Sequence, residues 1–214
     1  MMEYFFNVYT VSLIIAYLLG SIPFGIIITK LFNKGDLRKV GSGNIGATNV
    51  MRVGGLRMAG LVWILDMLKA VAAVWLCGFF GPSTFGQEYS AVVVVAFGVW
   101  GGLAAIVGHC FPVWLKFHGG KGVSCLFGVL LAVNPVLFVI CGLVWLLIAM
   151  ITKYSSAGAL AVFCLLPFLG FLTGVDAVGF AFLVIAILCL WQHRGNIVRL
   201  FSGKESKIEW KWKK

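Results

Sequence analysis

The chain has 214 residues, 61% of them hydrophobic and only 11% charged, where soluble domains average about 45–50% apolar and about 25% charged, so a soluble globular domain and a disordered chain are both excluded. The formal charge of +10, from 17 Lys and Arg against 7 Asp and Glu, becomes a question of which membrane face holds the cations. At about 20 apolar residues per bilayer crossing, the composition implies a polytopic helical bundle with short loops.

Met1-Met2-Glu3 carries no positive n-region, and the apolar run behind it is too long for a signal peptide, so about Tyr4 to Leu31 is expected to be a retained first span, kinked at Gly20-Ser21-Ile22-Pro23. A polar, Gly-rich stretch follows from Asn33 to Gly55. The second span, about Leu56 to Phe80, carries Asp66 and Lys69; Gly81 to Tyr89 is turn-rich, and Ala91 to Val107 is the third span. After a second polar stretch, Asn134-Pro135 divides the run from Val123 to Thr152 into a short fourth span and a fifth. The sixth covers about Ala157 to Leu172 and the seventh Ala177 to Trp191. The expected fold is therefore all-α, seven transmembrane helices in one domain over 1–214, with motif loops at 33–55, 108–122 and 192–206.

With the N-terminus outside, the gaps at Gly81 to Tyr89, Asn134-Pro135 and Thr173 to Asp176 are also outside and hold no Lys or Arg. The other face then holds sixteen of the seventeen cations, Lys69 being the exception inside a span. The positive-inside rule thus predicts an outside N-terminus, a cytoplasmic C-terminus and cytoplasmic motif loops. It accounts for the charge without nucleic acid. The tail from Ile208 to Lys214 alternates Trp and Lys and suits an anchor on anionic lipid. All six cysteines lie in or beside apolar runs, with neither CxxC nor metal-ligand spacing to the three histidines, and are read as helix-packing residues.

The first motif loop contains Gly41-Ser-Gly-Asn-Ile-Gly-Ala-Thr-Asn49, followed by Arg52. Three glycines with Ser42, Asn44, Thr48 and Asn49 form a backbone that bends tightly and presents amide and hydroxyl donors to an anion. The second ends in Gly119-Gly-Lys-Gly122, a cation in a glycine turn just before an apolar helix whose N-terminal dipole also favours anions. It is not a Walker A loop, because GxxxxGK[ST] is absent. In the third, His193, Asn196 and Leu200 share one helical face at the membrane surface. Asp66 and Lys69, at i and i+3, can pair and should face the bundle interior, since charges inside a span cost several kcal/mol.

Ser42-Gly-Asn-Ile-Gly-Ala-Thr-Asn49 with Arg52, Gly108-His109 and Phe111-Pro112 through Gly119-Gly-Lys-Gly122, and His193-Arg with Asn196-Ile and Arg199-Leu resemble the three signature motifs of the bacterial acyl-phosphate:glycerol-3-phosphate acyltransferase family (PlsY). The likeness extends to Ser21-Ile-Pro23, to Leu65-Asp66 with Lys69, and to Thr152-Lys-Tyr154 with Ser156. Ile45 and Gly195 depart from the family pattern without removing a reactive group. The HxxxxD signature of other acyltransferases is missing, since His109, His118 and His193 are followed five residues on by Trp114, Val123 and Val198.

The resemblance implies a multi-pass inner-membrane enzyme with a cytoplasmic site. It would transfer a fatty acyl group from acyl phosphate to the 1-hydroxyl of glycerol 3-phosphate, making lysophosphatidic acid in the first step of phospholipid synthesis without acyl-CoA or acyl carrier protein. In that reading Arg52 and Lys121 hold the glycerol 3-phosphate dianion, assisted by Lys69 and Thr48. Asn44, Asn49, His109 and Ser156 join the substrate-binding set, as do Gly119, Gly120 and Gly122 through their backbone amides. Ser42 and the loop amides orient the acyl phosphate, with His193 and Asn196 completing the catalytic set. His193 could serve as general base, but both substrate phosphates titrate near neutrality, which favours substrate-assisted proton transfer with His193 and Asn196 as positioning groups. Asp66 and Glu205 are assigned structural roles, Glu205 tethering the tail to a basic residue. Acyl phosphate is already an activated anhydride, so no metal or other cofactor is expected; the expected partners are the two substrates and membrane lipid, not nucleic acid. The rival reading is a phosphate or organic-phosphate transporter, disfavoured because the outer face offers no cation.

Overall fold

The computed structural model describes residues 2–208, and side chains from Val8 onward; the expected Trp and Lys anchor at 209–214 lies outside that range. Among the described residues all regular structure is helical: α1 (Met2–Gly20), α2 (Phe24–Leu31), α3 (Ala47–Thr84), α4 (Ala91–Cys110), α5 (Val123–Val133), α6 (Pro135–Thr152), α7 (Ser155–Phe171), α8 (Asp176–Gln192) and α9 (Arg194–Phe201). Short 3-10 turns occupy Leu37–Lys39 and Val113–Leu115.

The breaks follow from backbone chemistry. Pro23 separates α1 from α2, and the Ile26 amide, which would otherwise continue the helix to Ile22, bonds the Pro23 carbonyl instead. Asn134 caps α6, its Oδ1 accepting from the Val136 amide at 2.9 Å, with Pro135 in the first turn, where it needs no donor. α3 begins earlier than the sequence suggests. Residues 47–54 form a short helical segment instead of loop, and Gly55, at φ +76° and ψ −178°, breaks it from the long apolar segment that follows.

α3 is the central helix, packed against α1, α4 and α5, while α7 packs between α6 and α8. Small residues let α3 and α4 approach closely: a Cβ on Gly98 would lie 2.7 Å from the Val74 carbonyl oxygen, and one on Gly78 2.8 Å from that of Val94. Leu126, Leu130, Phe163, Leu166 and Phe182 fill the interior, whereas Leu143, Met150, Ile151, Phe168 and Ile187 point outward. An apolar exterior of this kind fits lipid. All six cysteines are free; five are buried as packing residues, but Cys164 is exposed.

Val8–Leu31, Ala47–Thr84, Ala91–Leu115 and Pro135–Thr152 are each long and apolar enough to cross a membrane, and α8 with α9, bent by 57°, makes a fifth if taken as one span. α5 and α7, at 11 and 17 residues, are shorter. The cation-bearing segments gather at one end of the bundle. Thr48 Oγ1 lies 3.3 Å from Ser155 Oγ, Ser156 Oγ donates to Glu205 Oε1 at 2.8 Å, and the Ile208 amide donates to the Lys153 carbonyl at 2.7 Å.

Candidate active site

At that end a cavity of about 500 Å³ has two unlike walls. The first turns of three helices line its polar wall, through Ala47 and Thr48 of α3, Val123 and Ser124 of α5, and Ser155 and Ser156 of α7. First-turn amides have no partner within their own helix, so three positive dipole ends face one space. Arg52, Lys121 and Arg199 add full charges. The other wall is apolar, with Trp63, Phe127, Phe138 and Trp145 around Gly142 and Ala159. Such a cavity suits an amphipathic ligand with an anionic head.

A hydrogen-bonded chain runs along the polar wall. Lys121 Nζ donates to Asn196 Oδ1 at 2.5 Å, and Asn196 Nδ2 donates to Glu205 Oε1 at 2.6 Å. Arg199 Nε donates to Glu205 Oε2 at 2.7 Å. Burial would raise the Glu205 carboxyl, but the hydrogen bonds from Ser156, Asn196 and Arg199 and the charge of Arg199 hold it below the usual carboxylate range. Burial, reinforced by Arg199 and Arg52 and opposed by Glu205, lowers the Lys121 ammonium to about 8.

His193 lies just beyond α8, where the chain bends into α9. Its Nδ1 donates to the Cys189 carbonyl at 2.8 Å, which leaves the Nε2 lone pair free, and its ring rests 5.3 Å from that of Phe163. Burial is the main cause that brings its pKa down to about 4; Lys121 adds to the effect, while the Cys189 hydrogen bond and Glu205 oppose it. The imidazole is therefore neutral at physiological pH, as a Nδ1–H tautomer.

The cavity gathers most of the residues expected from sequence, namely Ser42, Asn44, Thr48, Arg52, His109, Lys121, Ser156, His193, Asn196 and Glu205. Others serve different ends. Asn49 also borders it, but its Nδ2 donates to the Leu37, Val40 and Asn44 carbonyls, and its Oδ1 accepts from the Ser42 amide at 3.1 Å. These bonds brace the first loop. The loop amides are similarly engaged, that of Ser42 by Asn49 and that of Gly46 by Asn44 Oδ1 at 2.8 Å; in the first turn of α3 the Asn49 amide bonds the Gly46 carbonyl at 3.0 Å, which leaves those of Ala47 and Thr48 as the donors toward the cavity. Lys69 does not line the cavity. It is buried behind it, 2.7 Å from Asp66 Oδ1.

The glycine turn is also built differently from the expectation. The Gly119 amide donates to the Cys110 carbonyl at 3.1 Å and the Gly120 amide to the His109 carbonyl at 2.9 Å, so neither faces an anion. Glycine is needed there for space, because a Cβ on Gly119 would collide with the His109 carbonyl and one on Gly120 with His109 Nε2. Of the three glycines only Gly122 has a positive φ, +83°.

Sequence reasoning placed Arg199 in the third motif without giving it a role, and passed over Ser124, Ser155 and Gln192. Gln192 Nε2 lies 3.4 Å from the Cys110 carbonyl and 3.5 Å from that of Gly120, tying the glycine turn to α8. Arg199 had a visible signal, one helical turn after Asn196. The long-range meeting of Asp66, His109 and Cys125, whose ligating atoms lie within 4.8 Å of one another, had none.

The glycerol-3-phosphate acyltransferase family matches residues 10–203. A glycerol-3-phosphate acyltransferase of Rhizobium etli is 44% identical over 195 residues, covering 91% of this chain and 89% of its own. The crystal structure of PlsY, an integral membrane glycerol 3-phosphate acyltransferase, in its glycerol 3-phosphate form has a TM-score of 0.81 at 38% identity, over 94% of this chain and 96% of that one. Its lysophosphatidic acid form gives 0.77 at 36% identity, over 94% and 95%.

Proposed function

The chain belongs to the glycerol-3-phosphate acyltransferase family, and from that premise we propose that it transfers a fatty acyl group from acyl phosphate to the 1-hydroxyl of glycerol 3-phosphate, forming lysophosphatidic acid and releasing inorganic phosphate. Neither acyl-CoA nor acyl carrier protein takes part. The observation that carries this reading is the two-walled cavity, where three helix N-termini with Arg52, Lys121 and Arg199 adjoin an apolar wall of Trp63, Phe127, Phe138 and Trp145. PlsY has been solved in forms named for glycerol 3-phosphate and lysophosphatidic acid, molecules that match this division between charge and grease.

Lys121 and Arg52 bind the glycerol 3-phosphate dianion, with Arg199 and the Thr48 and Ser156 hydroxyls completing its shell. Ser42, Asn44 and the first-turn amides of α3 orient the acyl phosphate and stabilise charge on its carbonyl oxygen. The 1-hydroxyl oxygen attacks the acyl carbon, the bond from that carbon to the phosphate oxygen breaks, and the hydroxyl proton ends on the departing phosphate. His193 accepts a hydrogen bond from the nucleophile through Nε2 and, with Asn196, aligns it. A side chain with a pKa of about 4 is a poor base near neutrality, whereas a phosphate dianion with its second pKa near 6 is well matched. Positioning alone can contribute about 7–11 kcal/mol.

The topology that goes with this is a single domain of seven crossings, α1 with α2 counting as one and α3 to α8 as six, in the inner membrane. The N-terminus is outside and the cavity faces the cytoplasm. The distribution of Lys and Arg supports it, as does the joining of residues 48, 121, 155, 196 and 205 in one cavity wall. The reading is tested with purified protein given acyl phosphate and glycerol 3-phosphate: lysophosphatidic acid and inorganic phosphate should appear in equal amounts, and release of phosphate without acylated product would overturn it.

A further inference from the structure

Behind the glycine turn lies a buried polar cluster that the reaction as described leaves unused. Asp66, Lys69 and His109 are each no more than 5% exposed. Lys69 Nζ, 2.7 Å from Asp66 Oδ1, donates to the Ile22 carbonyl at 2.8 Å and approaches His109 Nδ1 at 3.2 Å. The Ile22 carbonyl, which also accepts the Phe24 amide at 3.1 Å, has a lone pair for this contact because the break at Pro23 removes the Ile26 amide as its helical partner. The Ile22 carbonyl and His109 Nδ1 lie within hydrogen-bond reach of the ammonium, and Asp66 Oδ1 meets it as an ion pair without hydrogen-bond geometry. Nδ1 lies 3.2 Å from the Lys69 ammonium and 3.6 Å from Asp66 Oδ1, the second beyond hydrogen-bond reach. A hydrogen bond donated by the ammonium to Nδ1 requires that nitrogen bare and the ring proton on Nε2.

Nε2 is the atom under Gly120, the position where an added Cβ would strike it. The same residue's carbonyl accepts the Gly120 amide, and the Cys110 carbonyl accepts that of Gly119. His109 therefore grips the turn by ring and by backbone immediately before Lys121 enters the cavity. The proximity of Asp66, His109 and Cys125 also suggests a metal site, but the Lys69 ammonium already neutralises the carboxylate, and a second cation there would meet its charge.

We propose that Asp66 and Lys69 are positioning residues for acyl transfer: they fix His109 as the Nε2–H tautomer and so set the Gly119-Gly120 turn that delivers Lys121 to Asn196. This rests on the reading of Lys121 as a phosphate ligand. It differs from a merely structural ion pair between helices, which would hold the fold together without influencing substrate affinity.

The test joins a spectroscopic signature to a binding measurement. In 15N-histidine-labelled protein, with His118→Gln and His193→Gln used to assign the signals, His109 should show a bare Nδ1 and a protonated Nε2. The double variant Asp66→Leu/Lys69→Met removes both charges together and leaves no lone buried ion. It should lose the fixed tautomer and weaken glycerol 3-phosphate binding, measured by calorimetry, about 10- to 100-fold, the scale of a 1 Å misplacement. Asp66→Asn/Lys69→Gln serves the same purpose should the first pair not fold. His109→Gln, which keeps a donor near Nε2, should retain more affinity than His109→Leu. A proton on Nδ1 in the wild type, or wild-type affinity in a folded double variant, overturns the proposal. Absence of acyl transfer by wild-type protein with this tautomer and this binding loss both present would instead overturn the proposed reaction and leave the network standing.

Discussion

Lys121 and Asn196, 75 residues apart in the chain, meet at 2.5 Å in the wall of the cavity. The contact joins the glycine turn before α5 to the helix after the last long span, and it holds a cation ready without neutralising it. Asn196 in turn donates to Glu205, so the ammonium is oriented by an amide and the carboxylate stays one residue away. A dianion can displace the amide from Lys121 at the cost of one neutral hydrogen bond.

Lys121→Ala should lower kcat/KM for glycerol 3-phosphate about 10- to 150-fold, the equivalent of about 1.5–3 kcal/mol for a charge-assisted hydrogen bond. Burial, with Arg199 and Arg52, brings the wild-type ammonium to about 8, so the binding form is present below that pH and is lost above it. Steady-state kinetics should show kcat/KM falling as pH rises through about 8, and Lys121→Arg should move that limb upward.

His193→Gln should keep much of the turnover, because an amide oxygen can accept the hydrogen bond that Nε2 accepts, whereas His193→Ala should lose it by orders of magnitude. The acid limb near pH 6 to 7 should persist in the Gln variant, since it belongs to the phosphates. A pH profile of kcat in which that limb vanishes with the imidazole would make His193 the base.

Gly120→Ala should push His109 and the turn apart, and Gly122→Ala should add about 1–2 kcal/mol of left-handed strain besides a contact 2.8 Å from Cys189 Sγ. Both should raise the Kd for glycerol 3-phosphate more than they reduce the yield of folded protein. Calorimetric titration checks this, and unchanged affinity in both would reduce the turn to a connector.

Glu205→Ala should destabilise the fold by about 1–3 kcal/mol, the cost of leaving buried donors unpaired, seen as a lower Tm in detergent. The folded carboxyl titrates below its unfolded value, so its contribution is present above about pH 4 and fades as pH falls through the folded pKa. Wild type should accordingly lose stability relative to Glu205→Gln in that acid range.

The helical class and most helix positions were legible because the bilayer imposes long apolar runs, and Pro23 and Asn134-Pro135 mark real breaks. The start of α3 was not, because residues 47–54 are polar and glycine-containing yet helical, and only the backbone angle of Gly55 shows where that segment ends. Residue chemistry pointed to Lys121, Asn196 and His193 by type and spacing. The surroundings of Lys69 and Asn49 were not legible, because type and spacing show what a side chain can donate, not which carbonyls it will find. Asn49 finds those of Leu37, Val40 and Asn44, and Lys69 finds that of Ile22. The amides of Gly119 and Gly120 were likewise expected to face an anion, until the fold folded the turn back onto α4.

The donor is the most consequential claim and the most directly measured. Purified protein should be given glycerol 3-phosphate with palmitoyl phosphate in one vessel and palmitoyl-CoA in another, and lysophosphatidic acid quantified by mass spectrometry. Rapid formation from palmitoyl phosphate and none above background from palmitoyl-CoA is the predicted result; formation from palmitoyl-CoA alone would contradict the account.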